Sequence, residues 1–315
     1  MFIKNPVCVG IPCFNEEKSI SYTIASILAQ KNIPDLEIIV CVNGSTDKTE
    51  ENVRALAANN PKIQLIRAPR GKPNAWNLIR ETTSCQYIMF TDGDVILSEN
   101  VIFDLYCKLK ESSNTIASTS KVITLAKQKD MLSLGSLNSD SMPKYPLLSG
   151  GGYLIDNFKL SKHMAKQGFN AMPPNIINED RWLSGIISQE RIVICSQAKI
   201  YQLETSSFLE IISRYVRQSV GRHQIQQEFP LISKFSQVTL KEQLLTKFVL
   251  WKTLDKSKER LLFPLAVGLR FIIRSICNLL ARYLYSMKIY SNKWRPAITT
   301  KDGKLLNQLY LSERL

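Results

Sequence analysis

Residues 87–97 read YIMFTDGDVIL: a run of apolar residues, two carboxylates separated by one glycine, and then an apolar run again. Asp92 and Asp94 held that close repel each other, and burying them without compensation costs several kcal/mol. The simplest compensation is a divalent cation, because hard oxygen ligands suit Mg2+ or Mn2+. Mg2+ is seldom caged by protein alone. It takes one or two carboxylates and completes its shell with water and substrate phosphates. An Asp-Gly-Asp at the end of a strand, with Gly93 letting the backbone turn sharply, therefore fits a metal–diphosphate site. A solvated Asx-type turn is the competing reading, and the tripeptide alone does not separate the two.

Working outward, the first half of the chain alternates strand and helix signals. VCVGIP (7–12), LEIIVCV (36–42), IQLIRA (63–68) and YIMFTD (87–92) are apolar runs of strand length. Between them, 19–30, 46–58 and 73–81 carry helical spacing. Near-continuous apolar strands separated by helices predict a parallel sheet covered on both faces, which binds ligands at the carboxyl ends of its strands. CFNEE (13–17), NGSTD (43–47), APRGK (68–72) and DGD (92–94) each fall at such an end. Further on, 116–123 and 191–203 read as strands, and LLSGGGYLID (147–156) as a glycine-rich turn into a strand. NIINEDRWLSGII (175–187) reads as a loop running into a helix, and helical signal dominates from Ser207.

Composition sets the bounds. The 315 residues, 44% hydrophobic and 22% charged, suit one large α/β domain with an appendage and exclude a disordered or collagenous chain. The N-terminus enters a strand-like run directly, without signal-peptide features. Seven cysteines with no CxxC pair and no zinc-like spacing read as reduced, buried thiols. The net charge of +14 is uneven: residues 1–205 hold 22 Lys+Arg against 20 Asp+Glu, and residues 206–315 hold 19 against 7. A basic C-terminal third points to an anionic partner, either a membrane, a nucleic acid or a phosphorylated substrate.

The ordered set PCFNEE, NGSTD, GKPNAWN, DGD and, near residue 180, NED resembles glycosyltransferase family 2. These are the inverting nucleotide-sugar transferases of the GT-A fold, and the resemblance spans about residues 5–225. It implies an α/β fold with a doubly wound, mostly parallel, Rossmann-like sheet of GT-A type and a helical C-terminal extension. Residues 1–225 would form the catalytic domain, its nucleotide half at about 1–95 and its acceptor half at about 96–225. By the same resemblance Pro12, Phe14 and Glu16 border the nucleoside and Lys72 lies near the nucleotide. Asp92 contacts the ribose or the metal, and Asp94 ligates a divalent cation, Mg2+ or Mn2+, on the diphosphate. Asp180 matches the base that deprotonates the acceptor hydroxyl, and Glu179 and Trp182 beside it are expected at the acceptor or diphosphate. Gly150 and Gly151 match the glycine-bearing loop beside the acceptor. As residue types alone, Glu179 and Asp180 are also an ordinary acidic helix start.

Two departures refine the expectation. The acidic pair that reads uracil in many members is Val42 and Asn43 here. Asn43 still offers a carbonyl acceptor, so UDP stays the default donor nucleotide. The family's QxxRW segment reads Arg214-x-x-Arg217-Gln218. Arg217 keeps a fork for the diphosphate, while Gln218 replaces the tryptophan that stacks on a growing polymer. Addition of a single sugar is therefore expected, to a saccharide or a lipid-linked acceptor. His223 is better read as solvated than as a metal ligand.

Residues 226–315 read as a basic, amphipathic, helical region. LLFPLAVGLRFIIRSICNLLARYLYSM (261–287) is broken by Arg270, Arg274 and Arg282, which with Asn278 form one stripe, opposite Leu269, Ile273, Ile276, Leu280 and Leu284. With Tyr283, Tyr285, Tyr290 and Trp294 this suggests an anchor on an anionic membrane surface, hence a cytoplasmic protein peripheral to the inner face. The plainer alternative packs the apolar side on the catalytic domain. Nucleic acid is not expected, since aromatics do not interleave with the basic residues. A nucleotidyltransferase would need a glycine- and arginine-rich loop where CFNEE stands. A catalytically silent nucleotide-sugar-binding module is the rival of another class.

Overall fold

The computed structural model describes residues 3, 5–125, 146–205, 207–233, 247–248, 251–252, 257–290 and 300–312. Strands β1 (Val7–Cys13), β2 (Leu36–Val42), β3 (Ile63–Arg67) and β4 (Tyr87–Phe90) lie parallel in the order β3-β2-β1-β4. Helices α1 (Ile20–Leu28), α2 (Thr49–Asn59) and α3 (Lys72–Thr82) connect them. Both faces of this half-sheet are covered, which is why its strands read as unbroken apolar runs. Val7, Val9 and Ile11 meet Ile20, Ile24 and Ile27 of α1 on one side. Cys8, Ile39, Cys41 and Phe90 meet Trp76 and Ile79 of α3 on the other. All seven cysteines are free thiols, six of them buried.

The second apolar half of the opening stretch is a strand in its own right. β5 (Val95–Leu97) pairs antiparallel with β8 (Ile192–Leu203), so the chain leaves β4 inside the sheet and re-enters at its edge. Asp92, Gly93 and Asp94 span that crossing. β6 (Ala117–Leu125) and β7 (Tyr153–Asp156) complete an eight-stranded sheet, β3-β2-β1-β4-β7-β6-β8-β5. β7 runs antiparallel to β4, with Tyr87 opposite Asp156.

Two helices lack a sequence-level forecast. α4 (Val101–Lys110) buries Val101, Ile102, Leu105 and Leu109. α5 (Asn157–Lys166) is started by the Asp156 side chain, which accepts from the Lys159 N–H at 3.0 Å. The helix expected within 175–187 is α6 (Glu179–Ile187). It is followed by α7 (Phe208–Glu228), α8 (Pro230–Ser233), α9 (Ser257–Ser286) and α10 (Gly303–Ser312).

Helix α9 follows the plainer sequence expectation only in part: Ile273 and Leu284 pack against α7 while Leu269, Ile276 and Leu280 stay exposed, and its arginine stripe is not presented to an outer surface as a whole. Arg270 is turned inward, bonding Glu204 Oε1 at 3.1 Å and the Tyr215 hydroxyl at 2.9 Å. Ala266, Cys277 and Ala281 are buried with it, Cys277 and Ala281 against Val216 and Val220 of α7. Leu265, Leu269, Ile272, Ile276, Leu279 and Leu280 are exposed. A cation desolvated at a helix seam needs partners, and the carboxylate of Glu204 supplies one that solvent-facing lipid headgroups would otherwise provide. Tyr285 and Tyr290 stack at 5.1 Å and bond Glu228, so they belong to the seam rather than to an interfacial belt. Arg282 and Tyr283 remain exposed, and Trp294 lies outside the described residues.

Candidate active site

The parallel register of β1 to β4 brings four polar loops to one sheet edge, where they line a cavity of about 470 Å³. Pro12, Phe14 and Glu16 follow β1, Asn43 follows β2, Lys72 starts α3, and Asp92 and Asp94 follow β4. Gly71 adopts φ +131°, a region open to glycine, and so delivers Lys72 as the first residue of α3. Gly150, Gly151, Glu179, Asp180, Arg217 and Gln218 line the facing wall. The residues expected from sequence are thus brought together, with one exception. Trp182 is fully buried, packed edge-on against Phe169 and Phe229, and does not reach the cavity. On an amphipathic α6 it falls on the core face, and a large indole is best accommodated there.

The centre of the site is a shared ammonium. Lys72 Nζ stands 2.7 Å from Asp92 Oδ1 and 2.6 Å from Glu179 Oε1, tying the two walls together. Burial pulls the Lys72 ammonium down, but the Asp92 and Glu179 charges outweigh it and hold it well above the usual lysine range. Burial likewise works to raise Glu179, and Lys72 overrides it, keeping that carboxyl below the usual range. At Asp180 the balance goes the other way: burial and then the Glu179 charge outweigh Lys72 and Arg181 and push it up to about 6. Its Oδ1 accepts the Arg181 N–H at 2.7 Å.

A Cβ on Gly150 would sit 3.3 Å from Asp92 Oδ2 and 3.4 Å from Lys72 Nζ, so this glycine lies over the charged centre. Gly151 differs, since its Cβ would meet Val122 at 2.8 Å. Its smallness serves packing rather than access for a sugar. His223 lies off the cavity, lowered by burial and by Arg282.

Asp94 is half-buried, and burial followed by the Asp92 charge raises its carboxyl. Its Oδ2 accepts the Thr300 hydroxyl at 2.8 Å. Two neighbouring carboxylates, one of them raised by the other, fit a divalent cation completed by water and phosphate oxygens. Among the described residues no group of three His, Cys, Asp or Glu side chains is assembled as a complete cage.

Sequence reading missed Thr300 and Lys301. The chain returns from α9 and inserts them beside the β1 loop, anchored by Leu306 of α10 against Ile96 and Leu203. Lys301 Nζ donates to Glu16 Oε1 at 2.6 Å and to the Asn15 and Phe14 carbonyls at 2.6 and 3.1 Å. Burial and the nearby Asp94 push Glu16 up to about 8, with Lys301 opposing. A lone lysine far down the chain carries no periodic or motif signal that would have found it. Arg70, whose guanidinium lies 4.5 Å over the Phe14 ring, was equally unsignalled.

Residues 8–147 match the family described as Glycosyl transferase family 2. Poly-beta-1,6-N-acetyl-D-glucosamine synthases of Staphylococcus epidermidis and Staphylococcus aureus (strain COL) are 31% and 34% identical over 94 and 91 residues, 30% and 29% of this chain. The chain covers only 23% and 22% of those relatives' lengths. Among solved structures it resembles the mannosyltransferase PcManGT of Pyrobaculum calidifontis in complex with GDP-Man and Mn2+, at TM-score 0.55 and 15% identity over 99% of this chain and 87% of that one. S. aureus TarS 1–349 in complex with UDP-GlcNAc gives 0.51 and 15% over 98% and 91%. At that identity the likeness gives the fold, a GT-A sheet with its helices.

Lys301→Met would leave Glu16, its carboxyl already pushed up to about 8, and two loop carbonyls without their donor. The expected loss of unfolding free energy at neutral pH is about 1–3 kcal/mol, that of buried acceptors left unsatisfied, read from urea denaturation. A loss under about 1 kcal/mol would mean that the tail is not part of the site's electrostatic framework.

Proposed function

Residues 8–147 belong to glycosyl transferase family 2, and from that premise we propose that the chain is a metal-dependent, inverting glycosyltransferase. It moves one sugar from a nucleotide-sugar, with UDP as the default nucleotide, to a saccharide or lipid-linked acceptor. One observation carries the reading: Asp92 and Asp94 face Asp180 across a single cavity whose walls are tied by Lys72.

In this reading Pro12, Phe14, Glu16 and Asn43 border the nucleoside, with Arg70 stacked on Phe14 as one side of the base platform. Lys72 and Arg217 serve the diphosphate, where an ammonium and a guanidinium fork both offset developing charge. Asp92 and Asp94 would hold Mg2+ or Mn2+, which neutralises the departing diphosphate. Asp180 takes the proton of the acceptor hydroxyl. Its carboxyl, pushed to about 6, is more basic than an ordinary aspartate and still ionised at neutral pH. One base facing the leaving group implies in-line displacement with inversion. Gln218 in place of a stacking tryptophan favours single addition over polymerisation.

We assign the exposed face of α9 to the inner surface of a membrane. Within Arg260–Ser286 the most apolar 18-residue window of the helix has a mean hydropathy of 1.5, and little of it is buried. With Ile276 and Leu279 more than half exposed, the apolar face supplies the attachment in this reading and Arg282 supplies charge at its rim.

Four outcomes are expected. Calorimetric titration with UDP, GDP and CDP should show one nucleotide binding only with Mn2+, and Asp94→Ala should abolish it; binding by none of them would overturn the donor reading, and binding without turnover would bring the silent-module reading forward. Asp180→Asn should lower kcat by about 10²–10⁴-fold. The Asp180 carboxyl must be ionised to accept a proton, so wild-type kcat/KM should fall about tenfold per pH unit below pH 6 and level off above it. Full activity in Asp180→Asn would sink the mechanism. Co-sedimentation with vesicles containing anionic lipid should be lost in Ile276→Lys/Leu279→Lys, whereas retention would remove α9 as the anchor.

A further inference from the structure

The loop that leads into Asp180 is anchored from behind. Residues 174–178 belong to neither helix nor strand, yet Ile176 and Ile177 are buried and, with Asn178, line the cavity beside Asp180. Buried N–H and C=O groups outside regular structure need partners from elsewhere. Helix α7 supplies them. Gln224, fully buried, accepts the Ile177 N–H on its Oε1 at 3.1 Å and donates from Nε2 to the Asn175 carbonyl at 3.1 Å. An N–H can only donate and a carbonyl can only accept, so the two ends of this amide are not interchangeable.

The residue after Ile177 is fixed to the same helix. Asn178 stands at the start of α6, and its Nδ2 donates to the Gln218 carbonyl at 3.0 Å. Its side chain lies against Gly221, where an added Cβ would come within 2.5 Å of the Asn178 Cγ. Gln224 is held in turn. Its Nε2 also reaches Glu228 Oε2 at 3.4 Å, one turn further along α7, and Glu228 Oε1 accepts the Tyr285 and Tyr290 hydroxyls at 3.2 and 3.5 Å. A buried amide whose donor and acceptor ends are both engaged specifies one position for the loop it holds.

Resting on the reading of Asp180 as the base, we infer that Gln224 is a positioning residue for glycosyl transfer, fixing through Ile177 and Asn175 the loop that sets Asp180 against the acceptor hydroxyl. Being fully buried, Gln224 acts through the loop and not on the substrate. Asp180 is two residues past Asn178, in the first turn of α6, so a shift of the loop is passed to its carboxyl. A misplacement of about 1 Å at a reacting group can cost about 10²-fold in rate. The donor end of the cavity is built differently, on the loops after β1, β2 and β4, whose places are set by the parallel sheet and not by α7.

Hydrolysis of a nucleotide-sugar, with water in the acceptor's place, tests this on the full chain. Water bonds to the anomeric carbon, its proton passes to Asp180, and the bond from that carbon to the diphosphate oxygen breaks. The probes are UDP-glucose, UDP-N-acetylglucosamine and GDP-mannose, each with Mn2+, and the one turned over fastest is used throughout. Gln224→Met keeps the length of the side chain and removes both hydrogen-bonding ends. Its kcat should fall about tenfold or more, while donor KM and the affinity for the matching nucleotide with Mn2+ stay within about threefold. Gly221→Ala, which leaves Gln224 intact and pushes on Asn178, should lower kcat in the same selective way and serves if the methionine variant does not fold. Rates are taken per folded molecule, so a purely structural role would leave kcat unchanged. Wild-type kcat in the variant used overturns the inference, as does a loss of nucleotide affinity as large as the loss of kcat. Asp180→Asn separates the two levels: if it hydrolyses at the wild-type rate, or if the wild type hydrolyses none of the probes, the reading beneath falls and the inference with it.

Discussion

A single ammonium, that of Lys72, holds Asp92 at 2.7 Å and Glu179 at 2.6 Å. These carboxylates come from opposite halves of the molecule, and without the cation between them the two walls would repel across a desolvated gap. The rest of the site follows from this contact. Gly71 must admit a left-handed turn to bring Lys72 in, Gly150 must stay small to pass over the pair, and α6 must begin at Glu179 to present its carboxylate. Asp180, the next residue, then lies in the same cavity but outside the ion pair, which is why burial raises it while Lys72 lowers its neighbour. Two adjacent carboxyls thus take opposite protonation behaviour from their surroundings alone.

A second buried ion pair closes the nucleoside side. Lys301 satisfies Glu16 and two loop carbonyls, and Thr300 donates to Asp94. The chain reaches this point only after traversing α9, so the helix with the exposed apolar face and the loop under the nucleotide are joined through α10. The exposed apolar face of α9 and the residues that complete the cavity consequently belong to the same C-terminal segment.

The arginines of α9 illustrate how charge is used. Arg270 is neutralised by Glu204 at the helix seam, and Arg274 enters the cavity. The basic surplus of the C-terminal third is thereby divided between the site and the surface.

Much of this was readable from residues alone. The period of the apolar runs predicted β1 to β4 and their connecting helices, and a parallel sheet obliges the loops after those strands to share an edge, so DGD, Lys72, Asn43 and Phe14 could be grouped without coordinates. Trp182 could not be assigned correctly, because a tryptophan beside an acidic motif reads the same whether it faces a sugar or the core. Gly151 likewise reads as open space for a ligand, when its neighbour is Val122. The orientation of α9 was ambiguous for a related reason: a stripe of arginines is legible, but which side of the helix is desolvated depends on whether Glu204 and Tyr215 lie opposite. The sequence by itself determined the local elements, the strand-end chemistry and the charge asymmetry, since these depend on neighbours within a turn or a strand. Only the tertiary structure decided that Glu179 shares a lysine with Asp92, that Lys301 returns to Glu16, and that Arg222 and Arg274 line the same cavity as Asp180. Those contacts join residues far apart in the chain, and their energies come from desolvated charge pairs that leave no periodic trace in the order of residues.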